Sequence, residues 1–303
     1  MWNRANRLSS IKRSIAGPGI RRVLNLIKSE IHDLRIHSVP SGTQCFDWQV
    51  PKEWSCERAT IKKLTGEIIV DTDTNPLHVV MHSIPKAGVV SLNDLKSKLH
   101  TNRELPDAIP YVTSYYKEDW GFCLTENQYN ALDEAEYVVE IDSELRDGVL
   151  NYGELFIKGK TRKEIMISTY ICHPYMGNNE SSGPTVAVEL AKLLMREDLY
   201  YSVRILFIPE TIGSIAFLSR NIDEVKKNCI AGFNITCVGD ELAYSFLGSK
   251  YGNTIADRAA RKSYTEHEIT PDIYPWKMRG SDERQYCWPL IDLPFVSMMR
   301  SMY

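Results

Sequence analysis

Two residues able to carry a proton or hold a metal stand at matching places in the second half of the sequence. His173 ends the apolar run IMISTYIC and Glu210 ends VRILFIP, and each is followed by a glycine-containing turn and a helix start. In an α/β sheet the crevice beyond the carboxyl ends of parallel strands is where ligands sit. A neutral imidazole placed there can give a ring nitrogen to zinc at about 2.0–2.1 Å. A carboxylate placed there is partly desolvated, which raises its pKa toward the range useful to a general base. Structural readings compete with both: a histidine can be a satisfied core residue, and a carboxylate at a helix start can act on the macrodipole alone.

Two further acids fall at comparable points. Asp240 closes FNITCVGD, and Asp282 sits in RGSDERQY, where Gly280 and Ser281 mark a tight loop before the strand LPFVSMM. An aspartate in a loop is commonly a turn or capping residue, so neither decides the matter alone. All four map to one edge of one predicted sheet.

The elements that must hold them follow from periodicity. From Glu164 onward, strands at 164–172, 203–209, 230–238 and 292–299 alternate with helices at 184–196, 214–227 and 252–263. That grammar predicts a largely parallel sheet covered on both faces. Upstream, PGIRRVLNLIKSEIHDL sets Ile20, Val23, Leu24, Ile27 and Ile31 at helical spacing behind a Gly-Pro-Gly start signal, which predicts an amphipathic entry helix. Between Ile36 and Lys160 the texture changes to short alternating runs broken by Pro, Gly, Asp and Asn, the mark of strands and turns. The expected division is an α/β domain made of residues 1–50 and 161–303, interrupted by a β-rich domain over 51–160. Within the interruption, TSYYKEDWGF clusters Tyr115, Tyr116 and Trp120, either as core packing or as an aromatic surface for substrate.

Composition sets outer bounds. With 303 residues, 43% hydrophobic and 25% charged, the chain suits a soluble globular protein with a sizeable core. No run reaches the about eighteen apolar residues of a membrane span, and the N-terminus lacks the apolar core of a secretory signal, so the expected compartment is the cytoplasm. Seven cysteines form no CxxC pair, which points away from a cysteine zinc site. A net charge of -3 gives no footprint for nucleic acid, and an oligomer is left open.

The segments CHPYMGNNESSGP, FIPETIGS, FNITCVGD and RGSDERQY resemble the signature stretches of M28-type zinc aminopeptidases. More closely, the whole chain resembles the bacterial aminopeptidase-like DUF4910 family, often described beside polysaccharide biosynthesis. The resemblance implies a phosphorylase/hydrolase-like α/β zinc peptidase sheet with helices on both faces, interrupted by a small β-rich inserted domain. It also implies a hydrolase in which metal-activated water attacks an N-terminal amide of a small peptide or aminoacyl conjugate. Carried over by position, His173 matches the first histidine ligand and Glu210 the general base.

Departures from the family pattern narrow that expectation. The bridging aspartate of two-zinc peptidases falls at Asn179, a neutral amide that cannot balance two dications, so at most one zinc ion is expected. Thr211 stands where the second of two glutamates is usual, which leaves Glu210 as either base or ligand. Asp240 serves as the third-strand ligand only if the strand end is shifted, since Thr236 aligns with it directly. Asp282 matches an aspartate expected near the metal and not bound to it. The family's last histidine lies in a Tyr-His-Thr stretch beyond the last strand, and the sequence stops at Tyr303; His267 is the other histidine of the C-terminal half. The alternative is therefore a catalytically degenerate, metal-free relative that binds a substrate or partner in a surface-polysaccharide pathway.

Overall fold

Apolar, β-branched runs build the strands that carry the site. In this computed structural model, which describes residues 1–115, 117–278 and 280–302, eight strands form the main sheet. They are β1 (Arg35–Pro40), β2 (Val149–Ile157), β3 (Glu164–Tyr170), β4 (Ser202–Ile208), β5 (Cys229–Ile235), β6 (Ser245–Leu247), β7 (Asp272–Tyr274) and β8 (Phe295–Met299). Their order is β1-β2-β4-β3-β5-β8-β6-β7. The four central strands β4, β3, β5 and β8 run parallel, and β2 and β6 join antiparallel on either side. Every residue of β4 is buried, as expected of a central strand covered on both faces.

Alternation along the strands decides which helix covers which face. Ile165 and Ile167 of β3 share a groove with Val186 of α3 (Ser182–Leu194) and Tyr264 of α5 (Ile255–Glu266). On the opposite face Ser168 hydrogen-bonds Tyr286 of α6 (Asp282–Tyr286) at 3.0 Å, and Tyr152 of β2 packs edge-on against Phe217 of α4 (Ile212–Asn228). Two N-terminal helices, α1 (Trp2–Ser9) and α2 (Pro18–Glu30), complete this unit. The turn between them is tight: a Cβ at Gly19 would lie 2.6 Å from the Arg13 Cα. Among the described residues no helix is long and apolar enough to cross a membrane.

The chain divides into two compact units, Met1–Pro51 with Val149–Tyr303, and Lys52–Gly148. The second has its own antiparallel sheet, in the order Ile68–Asp71, Glu53–Lys63, Glu136–Arg146, Lys86–Ser91, around a core that includes Trp54, Ile61, Phe122 and Tyr137. The run LNYGELFI, expected in the insert, is instead β2, hydrogen-bonded between β1 and β4. Leu150 to Gly153 are buried in succession, and Gly153 lies against Leu24 of α2, where a Cβ would come within 2.9 Å of the leucine. An insert strand with one solvated face could not do this, so the unit boundary falls at Gly148 and not near residue 160.

Candidate functional site

Beyond β3 the pairing continues through Ile171, whose amide donates to Ile208, and the chain then turns at Cys172 and His173. A π-helical turn over Gly177–Ser181 precedes α3, and such turns recur at functional sites. It swings Glu180 beneath the turn. The Glu180 side chain is fully buried, and its Oε1 accepts the backbone amides of Cys172, at 2.8 Å, and His173. The same oxygen lies 2.8 Å from His173 Nδ1. Burial opposes charge on His173, but the Glu180 and Glu210 carboxylates outweigh it and raise its pKa. Burial likewise opposes charge on Glu180, and His173 with the buried guanidinium of Arg13 outweighs it and lowers its pKa. The two shifts describe one ion pair, anion below and cation above.

Glu210 follows Pro209 at the carboxyl end of β4. Its Oε2 is 3.6 Å from His173 Nε2, and Ser281 Oγ donates to its Oε1 at 2.5 Å. Its backbone amide points back to Cys172 Sγ at 3.2 Å. Thr211 adopts φ 62 and ψ -62, a conformation costly to a β-branched residue. The Thr211 amide donates to Asp282 Oδ1 at 2.7 Å, which fixes this turn. Burial, then the nearby Glu210 charge, pushes the Asp282 pKa well up. Asp282 thus holds the backbone next to Glu210.

The other expected residues point elsewhere. Asn179 directs its amide to Cys237 Sγ at 3.8 Å, and its Oδ1 is buried with no hydrogen-bond partner among the described residues. Thr236 donates to Tyr170 Oη and, at 3.3 Å, to the Asn179 carbonyl. Asp240 is not drawn to His173. It accepts from Asn178 at 2.5 Å and from the amide and hydroxyl of Ser301 at 3.1 and 2.8 Å, tying the loop after β5 to the chain after β8. His267 is exposed at the end of α5 and has neither a hydrogen bond nor an ion pair to any of these groups. In the second unit, Tyr115 shares a hydroxyl hydrogen bond of 2.9 Å with Tyr111, and Trp120 packs on Phe122 with Lys86 and Lys98 near its ring. Tyr116 lies outside the described residues.

Sequence reasoning missed Glu180, Arg13, Cys172 and Ser281. Glu180 had a usable signal, as the one acid in the loop after His173. Arg13 had none, because its approach depends on how the N-terminal segment folds back over α3.

Among the described residues, one set of three potential ligands has its donor atoms within 4.8 Å of one another: Cys172, His173 and Glu180. It does not suit zinc. Glu180 Oε1 is committed to His173 Nδ1 and two amides, and the buried Cys172 Sγ accepts the backbone amide of Glu210 at 3.2 Å. At His173 Nε2, the Glu210 carboxylate lies at 3.6 Å. Zinc sites use three or four protein ligands with open donor atoms, and in this set Glu180 Oε1 is already held by His173 Nδ1 and two backbone amides.

A parallel-centred sheet, helices on both faces and side chains gathered at the carboxyl ends of β3 and β4 define an aminopeptidase fold of the M28 type. A zinc aminopeptidase from Bacillus subtilis superposes with a TM-score of 0.67 at 13% identity, over 99% of this chain and 84% of that one. A peptidase M28 precursor from Shewanella amazonensis gives 0.64 at 12%, over 99% and 84%; at such identities the likeness is one of fold. The chain belongs to the DUF4910 family, a domain of unknown function whose model matches residues 2–303. A Clostridium acetobutylicum protein named as a polysaccharide biosynthesis protein with an aminopeptidase-like domain is 44% identical over 307 residues, covering all of this chain and 69% of its own length. A solved peptidase structure from the same species has a TM-score of 0.96 at 43% identity, over 100% of this chain and 71% of that one.

Proposed function

We propose that this chain is an aminopeptidase-fold protein that binds an amine-bearing ligand, a small peptide or aminoacyl conjugate, without zinc-dependent hydrolysis. The name of the Clostridium relative supports placing it in a polysaccharide pathway. One observation carries the reading. His173 is held between Glu180 and Glu210, while Asp240, at a position where a further metal ligand was expected, is bonded to Asn178 and Ser301.

The chemistry left to these residues is recognition. Glu210 offers a carboxylate oxygen to a ligand ammonium group, a charge-assisted hydrogen bond of the stronger kind. Ser281 orients that carboxylate through Oε1. Glu180 holds His173 through Nδ1, with Nε2 toward Glu210.

The test is metal analysis of purified protein, an assay of amine release from aminoacyl test substrates with added zinc or manganese, and calorimetry with a dipeptide amide. Substoichiometric zinc, no turnover and saturable dipeptide binding are expected, with Glu210→Ala weakening binding roughly tenfold. Stoichiometric zinc with turnover would overturn the reading in favour of a one-metal hydrolase. Glu210→Gln would then separate a base, metal kept and activity lost, from a ligand, both lost.

A further inference from the structure

At the other end of the main sheet, one strand length or roughly 20 Å from His173, a pocket of about 590 Å³ opens at the amino-terminal ends of β3 and β4. A volume of this size holds a small organic molecule. Its rim is the segment KGKTR, residues 158–162, with three cations and no acid in a chain of net charge -3, and Lys227 at the end of α4 faces the same space.

Neither of the two carboxylates that line the pocket forms an ion pair with these cations. Glu164 and Glu224 both pair with Arg204, at 3.0 and 2.8 Å, and Glu154 joins the same guanidinium. Lys160 pairs with Asp198. Lys158, Arg162 and Lys227 have no side-chain ion pair among the described residues. These three cations are open to an anion.

The rim is also rigid. Gly159 donates to Ser202 Oγ, Lys160 to the Leu199 carbonyl and Thr161 to the Tyr200 carbonyl, while a Cβ at Gly159 would meet the Tyr201 carbonyl carbon at 2.4 Å. The cations are therefore displayed from a fixed frame, which lowers the entropy cost of binding. Phe156 lines the pocket and is 45% exposed. The Arg204 guanidinium lies 5.0 Å from its ring centroid, anchoring the ring while leaving part of it open.

We propose that this pocket binds an organic phosphate, its phosphoryl group against Lys158, Arg162 and Lys227 and its ring against Phe156. Arg162 supplies the planar fork that suits phosphate, and the lysines supply point charge. The ring is that of a sugar or a nucleobase, and the phosphate ester is common to both. The site does not depend on the reading of the His173 crevice.

Calorimetry on the full chain with inorganic phosphate, a hexose 1-phosphate and a nucleoside diphosphate tests it at near-physiological ionic strength. At least one ester should bind saturably and roughly tenfold or more tighter than inorganic phosphate. The pair Lys158→Ala and Arg162→Ala should weaken that ester at least about tenfold, and Phe156→Ala should erase its advantage over inorganic phosphate. Binding of the hexose ester assigns the ring to a sugar; binding of the nucleotide alone assigns it to a base. No saturable binding, equal affinity for inorganic phosphate, or an unchanged Kd in the double variant would each refute the proposal.

Discussion

At the residue scale, the contrast between His173 and His82 shows how surroundings set the state of the same side chain. His173 has two carboxylates to oppose its burial, and its pKa rises. His82, in the second unit, is buried against Trp54 and Tyr115, has no hydrogen-bond partner for either ring nitrogen among the described residues, and burial alone lowers its pKa to about 4. Because the folded pKa lies below the unfolded value of 6.5, the unfolded state takes up the proton first as pH falls. The stability contribution of neutral His82 is therefore whole above pH 6.5 and is lost as pH drops toward 4, at a total cost of about 3 kcal/mol. Denaturant titrations at pH 7 and pH 4.5 should show this loss in the wild type, and His82→Phe should shrink it; an equal loss in both would assign it to other groups.

At the element scale, the strand–turn–helix joints of β3–α3 and β4–α4 depend on close approach. A Cβ at Gly183 would meet Thr169 Oγ1 at 2.4 Å and the Ile235 carbonyl oxygen at 2.5 Å, so α3 sits directly on β3 and β5 and carries Glu180 beneath His173. Gly183→Val must push α3 off the sheet. The expected destabilisation is about 2–4 kcal/mol, read as a lower urea midpoint with an unchanged slope. A variant as stable as wild type would mean that α3 does not need this contact. The periodicity of the sequence located these strands and helices within a few residues because each buries a continuous apolar run. It could not locate the five-residue π-helical turn, which lies in the step from His173 to α3 where no apolar pattern marks it.

At the scale of the whole molecule, Arg204 is the charge hub of the main unit. It is 5% exposed and joins Glu154 of β2, Glu164 of β3 and Glu224 of α4, binding two neighbouring strands and a covering helix to β4. Arg204→Met would strand the buried Glu164 charge, and breaking such a buried pair costs about 3–5 kcal/mol. Thermal unfolding should fall accordingly at pH 7 and recover in part when the acid is removed as well, as in Arg204→Met with Glu164→Leu. No recovery would show that the packing of the arginine stem matters more than its charge.

The sequence by itself determined the α/β class, the alternation of the second half and the placement of His173 and Glu210 at strand ends, because burial writes these features into local periodicity. The family likeness was legible too, in runs such as FIPETIGS and RGSDERQY. Only the tertiary structure decided which side chains meet. It set Glu180 under His173 and the Arg13 guanidinium near Glu180, gave Asp240 to Ser301, and moved β2 from the insert into the main sheet. Each of these is a contact between segments whose local patterns carry no record of the partner, since direction and distance in a folded chain are set by packing across the whole sheet.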